Sequence, residues 1–148
     1  FYPDYSKDFL SKTALGISIA ALYASAMLTN IIVGRMNLKY NYMIRVGILI
    51  ASIGTLVSIH YPIPGFTLIG IGSGIGLIGL PIAVAHMDIE RGLAMGIFNT
   101  YTYAGLGLMP LFTGIFLGRL GFETIFIISA ILLFLSLFLK DGLKSEYH

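Results

Sequence analysis

Five long apolar runs separated by short polar breaks set the pattern of this chain, at residues 14–33, 43–59, 63–85, 93–117 and 122–139. A helix rises 1.5 Å per residue, so about 20 mostly apolar residues cross a hydrocarbon layer of roughly 30 Å. The run at 43–59 is the shortest and carries Arg45 near its start, whereas that at 93–117 is the longest and holds Pro110 inside it. Strands of a membrane barrel would alternate apolar and polar residues in segments of about ten. Ile125, Phe126, Ile127 and Ile128 do not alternate, nor does the stretch from Ile131 to Leu135. A continuous apolar run in lipid must close its own backbone hydrogen bonds, which it does as a helix. The pattern therefore predicts an all-α integral membrane protein of about five transmembrane helices. Residues 1–148 read as a single membrane domain in which short connections make consecutive helices antiparallel neighbours.

Composition removes the soluble alternative. Hydrophobic residues make up 57% of the chain and charged residues 11%, with a mean hydropathy of +0.90. A soluble domain carries about 25% charged residues to solvate its surface. The chain has no cysteine, which excludes disulfides, thiolate metal sites and cysteine nucleophiles. Its net charge of +2 is small and dispersed, so nucleic acid is not an expected partner. The segment from Phe1 to Lys12 lacks the basic start and short apolar core of a signal peptide. The expectation is a fragment that begins inside a longer polypeptide.

Basic residues set the expected orientation. Arg35, Lys39, Arg45, Arg91, Lys140 and Lys144 fall on one side of a five-helix arrangement, and Lys7, Lys12 and Arg119 on the other. The larger group is expected in the cytoplasm together with the C-terminus, and the N-terminal segment outside.

Glycine and polar residues supply the candidate chemistry. Gly70, Gly72, Gly74, Gly76 and Gly79 precede Pro81 in the third run. Such spacing lets membrane helices approach closely; it serves tight packing or a helix that slides on its partner. Gly105, Gly107, Pro110 and Gly114 mark the fourth run, where an interior proline deletes a backbone hydrogen bond and predicts a bend near 106–110. Tyr23 and Asn30, seven apart, share one helix face, as do Asn99 and Tyr103, four apart. These faces either line a solvated pathway or hydrogen-bond between helices. Ionisable residues deep in a membrane mark ion coupling. Here Arg45, His60, His86, Asp88, Glu90, Arg91 and Glu123 lie near the ends of the runs and none at a midpoint. No paired-histidine metal motif, phosphate loop or plausible catalytic triad is present, so the chain reads as no enzyme, without metal or cofactor. The Gly70–Gly74 stretch imitates a dinucleotide turn, but its place inside an apolar span rejects that reading.

Glu90-Arg-Gly-Leu-Ala-Met-Gly-Ile-Phe-Asn-Thr, then Gly105-Leu-Gly-Leu-Met-Pro-Leu-Phe-Thr-Gly, then Gly118-Arg-Leu-Gly-Phe-Glu resemble, in order and spacing, the major facilitator superfamily. Gly105, Pro110 and Gly114 match that family's motif C, with Met109 and Thr113 where glycines are usual. Gly34-Arg35-Met36 followed by Lys39-Tyr40 looks like the motif A loop, with Leu38 in place of its aspartate. Gly70–Gly74 is similar to the glycine part of motif B, with Phe66 where an arginine is expected. The resemblance covers about residues 1–139. It implies a twelve-helix bundle of two related halves, of which this chain is expected to be helices 8–12 of the C-terminal half, helices 2–6 being the alternative. It implies a secondary active transporter, in the plasma membrane, that moves a small solute by alternating access. Tyr23, Asn30, Asn99 and Tyr103 are then candidate substrate contacts. Gly70, Gly74, Gly105, Pro110 and Gly114 are packing or gating positions, and Arg35, Lys39, Asp88, Glu90 and Arg91 are loop charges that pair or gate. The implied partners are membrane lipid, the missing half of the same transporter and a small-molecule substrate of unknown identity. The rival expectation is a non-transporting multi-span scaffold or assembly protein.

Overall fold

A computed structural model of the chain describes residues 11–87 and 89–142, leaving aside the side chains at 109, 110, 113, 117–120, 122 and 139–142. The described chain folds into five helices: α1 (Lys12–Gly34), α2 (Tyr40–Val57), α3 (Pro62–Ala85), α4 (Arg91–Leu120) and α5 (Phe122–Gly142). Among the described residues, α1, α2 and α3 are long and apolar enough to cross a membrane by length and composition, and α5 contributes a shorter apolar stretch at Glu123–Phe138. Helix α4 runs 30 residues, a length of about 45 Å at 1.5 Å per residue.

Local chemistry sets the helix ends. Ser11 caps α1, its hydroxyl accepting the Ala14 N–H at 3.1 Å, which satisfies one of the donors that a helix start leaves open. Pro62 opens α3, where a missing N–H costs nothing. Gly121 separates α4 from α5 with φ +73°, a left-handed conformation that side-chain-bearing residues rarely take. Glu123 then places a carboxylate in the first turn of α5, facing the positive end of the helix dipole. The helix continues through Pro110 in α4 and Pro81 in α3.

Helix α3 is the centre of the bundle. It packs against α2 on one side and α1 on the other, while α5 lies along α2 and α4 touches α3 and α5 only lightly. Glycine makes the central contacts possible. A Cβ at Gly72 would lie 2.5 Å from the Ala51 nitrogen and the Gly47 carbonyl oxygen of α2, and one at Gly70 would strike Ser25 Oγ and the Leu22 carbonyl of α1. The apolar core is small: Val33, Met43 and Ile75, with Leu38, Val46, Ile50, Ile71 and Ile78 packed on it. Large apolar side chains such as Leu28, Ile32, Leu77 and Leu132 stand about 60% exposed. In water such a surface would aggregate; in lipid it is the solvated face. Tight backbone packing rather than hydrophobic burial holds membrane helices together, which agrees with a glycine seam and a small core.

Hydroxyls inside the helices are turned back on their own backbones. Ser18 donates to the Ala14 carbonyl at 2.8 Å, Ser52 to Ile48 at 2.8 Å, Thr55 to Ala51 at 2.9 Å and Thr100 to Gly96 at 2.9 Å. This satisfies the O–H without a partner on another helix.

Candidate functional site

The polar positions of α1 fall on two faces. Leu22, Ser25, Ala26 and Thr29 meet α3: Ser25 Oγ lies 3.1 Å from the Thr67 carbonyl, and a Cβ at Gly74 would sit 2.9 Å from the Ala26 oxygen. Tyr23, Met27 and Asn30, spaced four and three apart, flank that interface. Tyr23 is 68% exposed and Met27 66%, whereas Asn30 is half-buried. The Asn30 Oδ1 atom is buried and finds no hydrogen-bond partner among the described residues. A buried polar atom of this kind costs about 1–3 kcal/mol relative to a paired one. The same holds for Asn41 Oδ1 at the start of α2, a residue that sequence reasoning did not single out.

On α4, Asn99 and Tyr103 are both exposed. Two cavities flank the first half of this helix. One, of about 370 Å³, lies against the end of α3 and is lined by Val84, Met87, Ala94, Phe98 and Tyr101 among others. The other, of about 580 Å³, opens along Gly92, Leu93, Gly96, Ile97, Thr100 and Tyr101. A Cβ at Gly96, Gly105 or Gly107 would meet nothing within 4 Å, so these glycines have no helix packed on them among the described residues. Gly114 is likewise exposed. The structure thus divides the glycines of the chain: Gly70 and Gly74 are buried between helices, and Gly105 lies bare.

Helices α1 and α4 share no extended interface among the described residues. Tyr23 and Asn30 therefore stand on one wall and Asn99 and Tyr103 on another, without converging in one pocket.

The charged loop residues are exposed. Arg35 caps the end of α1 through its backbone N–H, and Lys39 precedes α2 without a side-chain cap. Arg35, Lys39, Glu90 and Arg91 form no ion pair among the described residues, and Asp88 lies outside them. A contact that sequence reasoning missed is close by. The His86 ring stacks on Tyr40 with centroids 5.3 Å apart, and its Nδ1–H donates to the Ile82 carbonyl at 2.8 Å. Because a carbonyl only accepts, Nδ1 is the donor in this bond. This stack ties the end of α3 to the start of α2. Two aromatics 46 positions apart give no local signal, so only the fold could pair them. No cluster of three or more metal-ligating residues occurs among the described residues.

The family model of the Major Facilitator Superfamily matches residues 1–143. No curated protein and no solved structure gave a match.

Proposed function

The chain belongs to the major facilitator superfamily, a family of membrane transporters rather than enzymes, and from that premise we propose that it forms part of a secondary active transporter that moves a small solute by alternating access. Two halves of such a protein rock about a central site that is open to one side at a time. The observation that carries the reading for this chain is the contrast between faces. Most of the bundle surface is apolar, while Tyr23 and Asn30 on α1 and Asn99 and Tyr103 on α4 place polar and aromatic groups on helix faces that no described neighbour covers fully. Those two faces, one on α1 and one on α4, are this chain's contribution to the lining of the substrate cavity. The missing half of the transporter supplies the opposing wall, with the present helices as numbers 8–12 of the whole. The membrane is the plasma membrane, with the C-terminal end of α5 on the cytoplasmic side. Arg35, Lys39, Glu90 and Arg91 lie on that side as gate charges.

The bare glycines of α4 favour a second reading, an assembly scaffold that uses Gly96, Gly105 and Gly107 to bind another membrane protein. One experiment separates the two. The full-length protein carrying Asn99→Leu is reconstituted in proteoliposomes and its solute flux compared with wild type across a substrate panel. Loss of flux with normal insertion supports a cavity role. Unchanged flux removes Asn99 from the cavity, and absence of flux from the wild-type protein with every solute tested favours the scaffold.

A further inference from the structure

Helix α3 touches α1, α2 and α4, and these contacts leave one arc of its surface open. Counting about 100° per residue from Gly70, the α1 contacts Gly74 and Thr67 fall at about 40° and 60°. The α2 contacts Gly72 and Gly79 fall at about 180–200°. Val84, which shares a cavity with Ala94 and Phe98 of α4, falls at about −40°. Leu77, at about −20°, lies between the α1 and α4 contacts, with Ser73 beside it at about −60°. Leu77 is 60% exposed and Ser73 half-buried.

The polar face of α1 borders this arc. Counted from Ala26, Ser25 lies at about −100° on one flank of the α3 interface, and Asn30 and Tyr23 at about 40° and 60° on the other. Ser25 bonds to Thr67, on the side of α3 away from Leu77. Tyr23 and Asn30 are therefore on the side of Leu77. Depth agrees. Gly70 meets Leu22 and Ser25, and Gly74 meets Ala26 and Thr29, so Ser73 and Leu77 are level with the stretch of α1 from Ala26 to Asn30. Exposure alone would leave Leu77 to lipid, as it does Leu28 and Leu132; its place on the central helix, beside a polar face, gives it another role.

We infer that Ser73 and Leu77 form the floor of the solute pathway edged by Tyr23 and Asn30, and that this surface selects an uncharged solute with an apolar face. The inference rests on the transport reading. The Ser73 hydroxyl is committed to the Gly70 carbonyl at 3.1 Å, and Leu77 offers only hydrocarbon. Hydrogen bonding to the solute is left to the Asn30 amide and the Tyr23 phenol. Residues 13–34 of α1 and 62–85 of α3 include no Asp, Glu, Lys, Arg or His. An ion at this depth needs a paired charge, and this surface supplies none.

The 148 residues contain no cysteine, so a thiol introduced here is unique within them. The test uses the full-length protein, with any cysteine elsewhere replaced, in nanodiscs that expose both membrane faces to a charged, lipid-insoluble maleimide. The reagent needs a thiolate, which forms in water and not in hydrocarbon. Leu77→Cys and Ser73→Cys should react at rates close to Asn30→Cys and several-fold faster than Leu28→Cys, on the far face of α1. Benzamide should slow labelling of Leu77→Cys several-fold more than benzoate or benzylammonium, which match its shape and carry charge. Labelling of Asn30→Cys without the two α3 positions overturns the floor and leaves the transport reading standing. Rates no faster than Leu28→Cys at all three positions overturn both. Fast labelling at all three in a protein that moves no solute keeps the solvated floor and removes transport. Equal or greater protection by either ion, or protection by none of the three compounds, overturns the selection against charge. Should Leu77→Cys fail to insert, Ser73→Cys decides the matter.

Discussion

The Ser25 hydroxyl of α1 lies 3.1 Å from the carbonyl oxygen of Thr67 on α3 and 3.0 Å from the Leu22 carbonyl of its own helix, so one proton is shared between the two helices. Three residues along α3, Gly70 gives the room for this approach, since a Cβ there would strike Ser25 Oγ and the Leu22 carbonyl. The hydrogen bond and the missing side chain form one device, and they differ in weight. Interhelical hydrogen bonds in membranes average about 0.6 kcal/mol, whereas forcing volume into a packed contact costs about 1–3 kcal/mol or more. Ser25→Ala should therefore lower stability only slightly, and Gly70→Val should lower it several times as much. Unfolding the purified protein with SDS in mixed micelles measures both; equal effects would mean that α1 is free to shift away from α3.

The glycines of α3 and α4 should respond oppositely to the same change. A Cβ at Gly72 would press on the Ala51 nitrogen and Gly47 oxygen at 2.5 Å, which are backbone atoms with no rotamer to yield. At Gly105 and Gly107 the same Cβ has open space. Gly72→Ala is expected to destabilise by about 1–3 kcal/mol. Gly105→Ala and Gly107→Ala are expected to be neutral, or to stabilise by up to about 1 kcal/mol through helix propensity. The same unfolding assay decides. A loss at Gly105 comparable with that at Gly72 would show that another helix covers α4 in the purified protein.

Tyr40 and His86 join the start of α2 to the end of α3 through a stack with an interplanar angle of 27°. Aromatic pairs contribute about 0.5–1.5 kcal/mol beyond buried area, and the exposure of His86 places this pair at the low end of that range. A double-mutant cycle with Tyr40→Leu and His86→Leu should return a coupling of about 0.5 kcal/mol, measured by thermal unfolding in detergent. A cycle that closes without coupling would leave the stack as proximity alone.

Much of the architecture was legible in the chain because lipid imposes one demand on every residue of a span. Uninterrupted stretches such as Ile125–Ile128 admit no strand period, and a helix is the remaining way to satisfy the backbone. The glycine seam was legible as a spacing but not as an interface. Gly70 and Gly74 stand four apart, and so do Gly92 and Gly96. Yet the first pair is pressed on α1, while Gly96 faces open space. What distinguishes them is the neighbouring helix, and no local pattern specifies a neighbour. The polar faces follow the same rule. The spacing of Tyr23 and Asn30 put them on one side of α1, but only the packing of Leu22, Ser25 and Ala26 on α3 distinguishes an exposed Tyr23 from a half-buried Asn30. The pairing of His86 with Tyr40 had no local sequence signal at all.

Asn30 separates stability from function. Its Oδ1 is buried without a partner among the described residues, so the amide contributes little to holding α1 in place. Replacing an unsatisfied polar group by an apolar one of similar shape is close to neutral or stabilising. Asn30→Leu should therefore leave unfolding in detergent unchanged within about 0.5 kcal/mol, or raise stability by up to about 1 kcal/mol. If Asn30 lines the substrate cavity, flux in proteoliposomes should fall at least several-fold in the same variant, while Asn30→Gln, which keeps the amide, should retain part of it. A destabilised variant would instead assign the amide to a packing contact outside the described residues. A stable variant with full flux would remove Asn30 from the pathway and leave Tyr23 as the remaining candidate on α1.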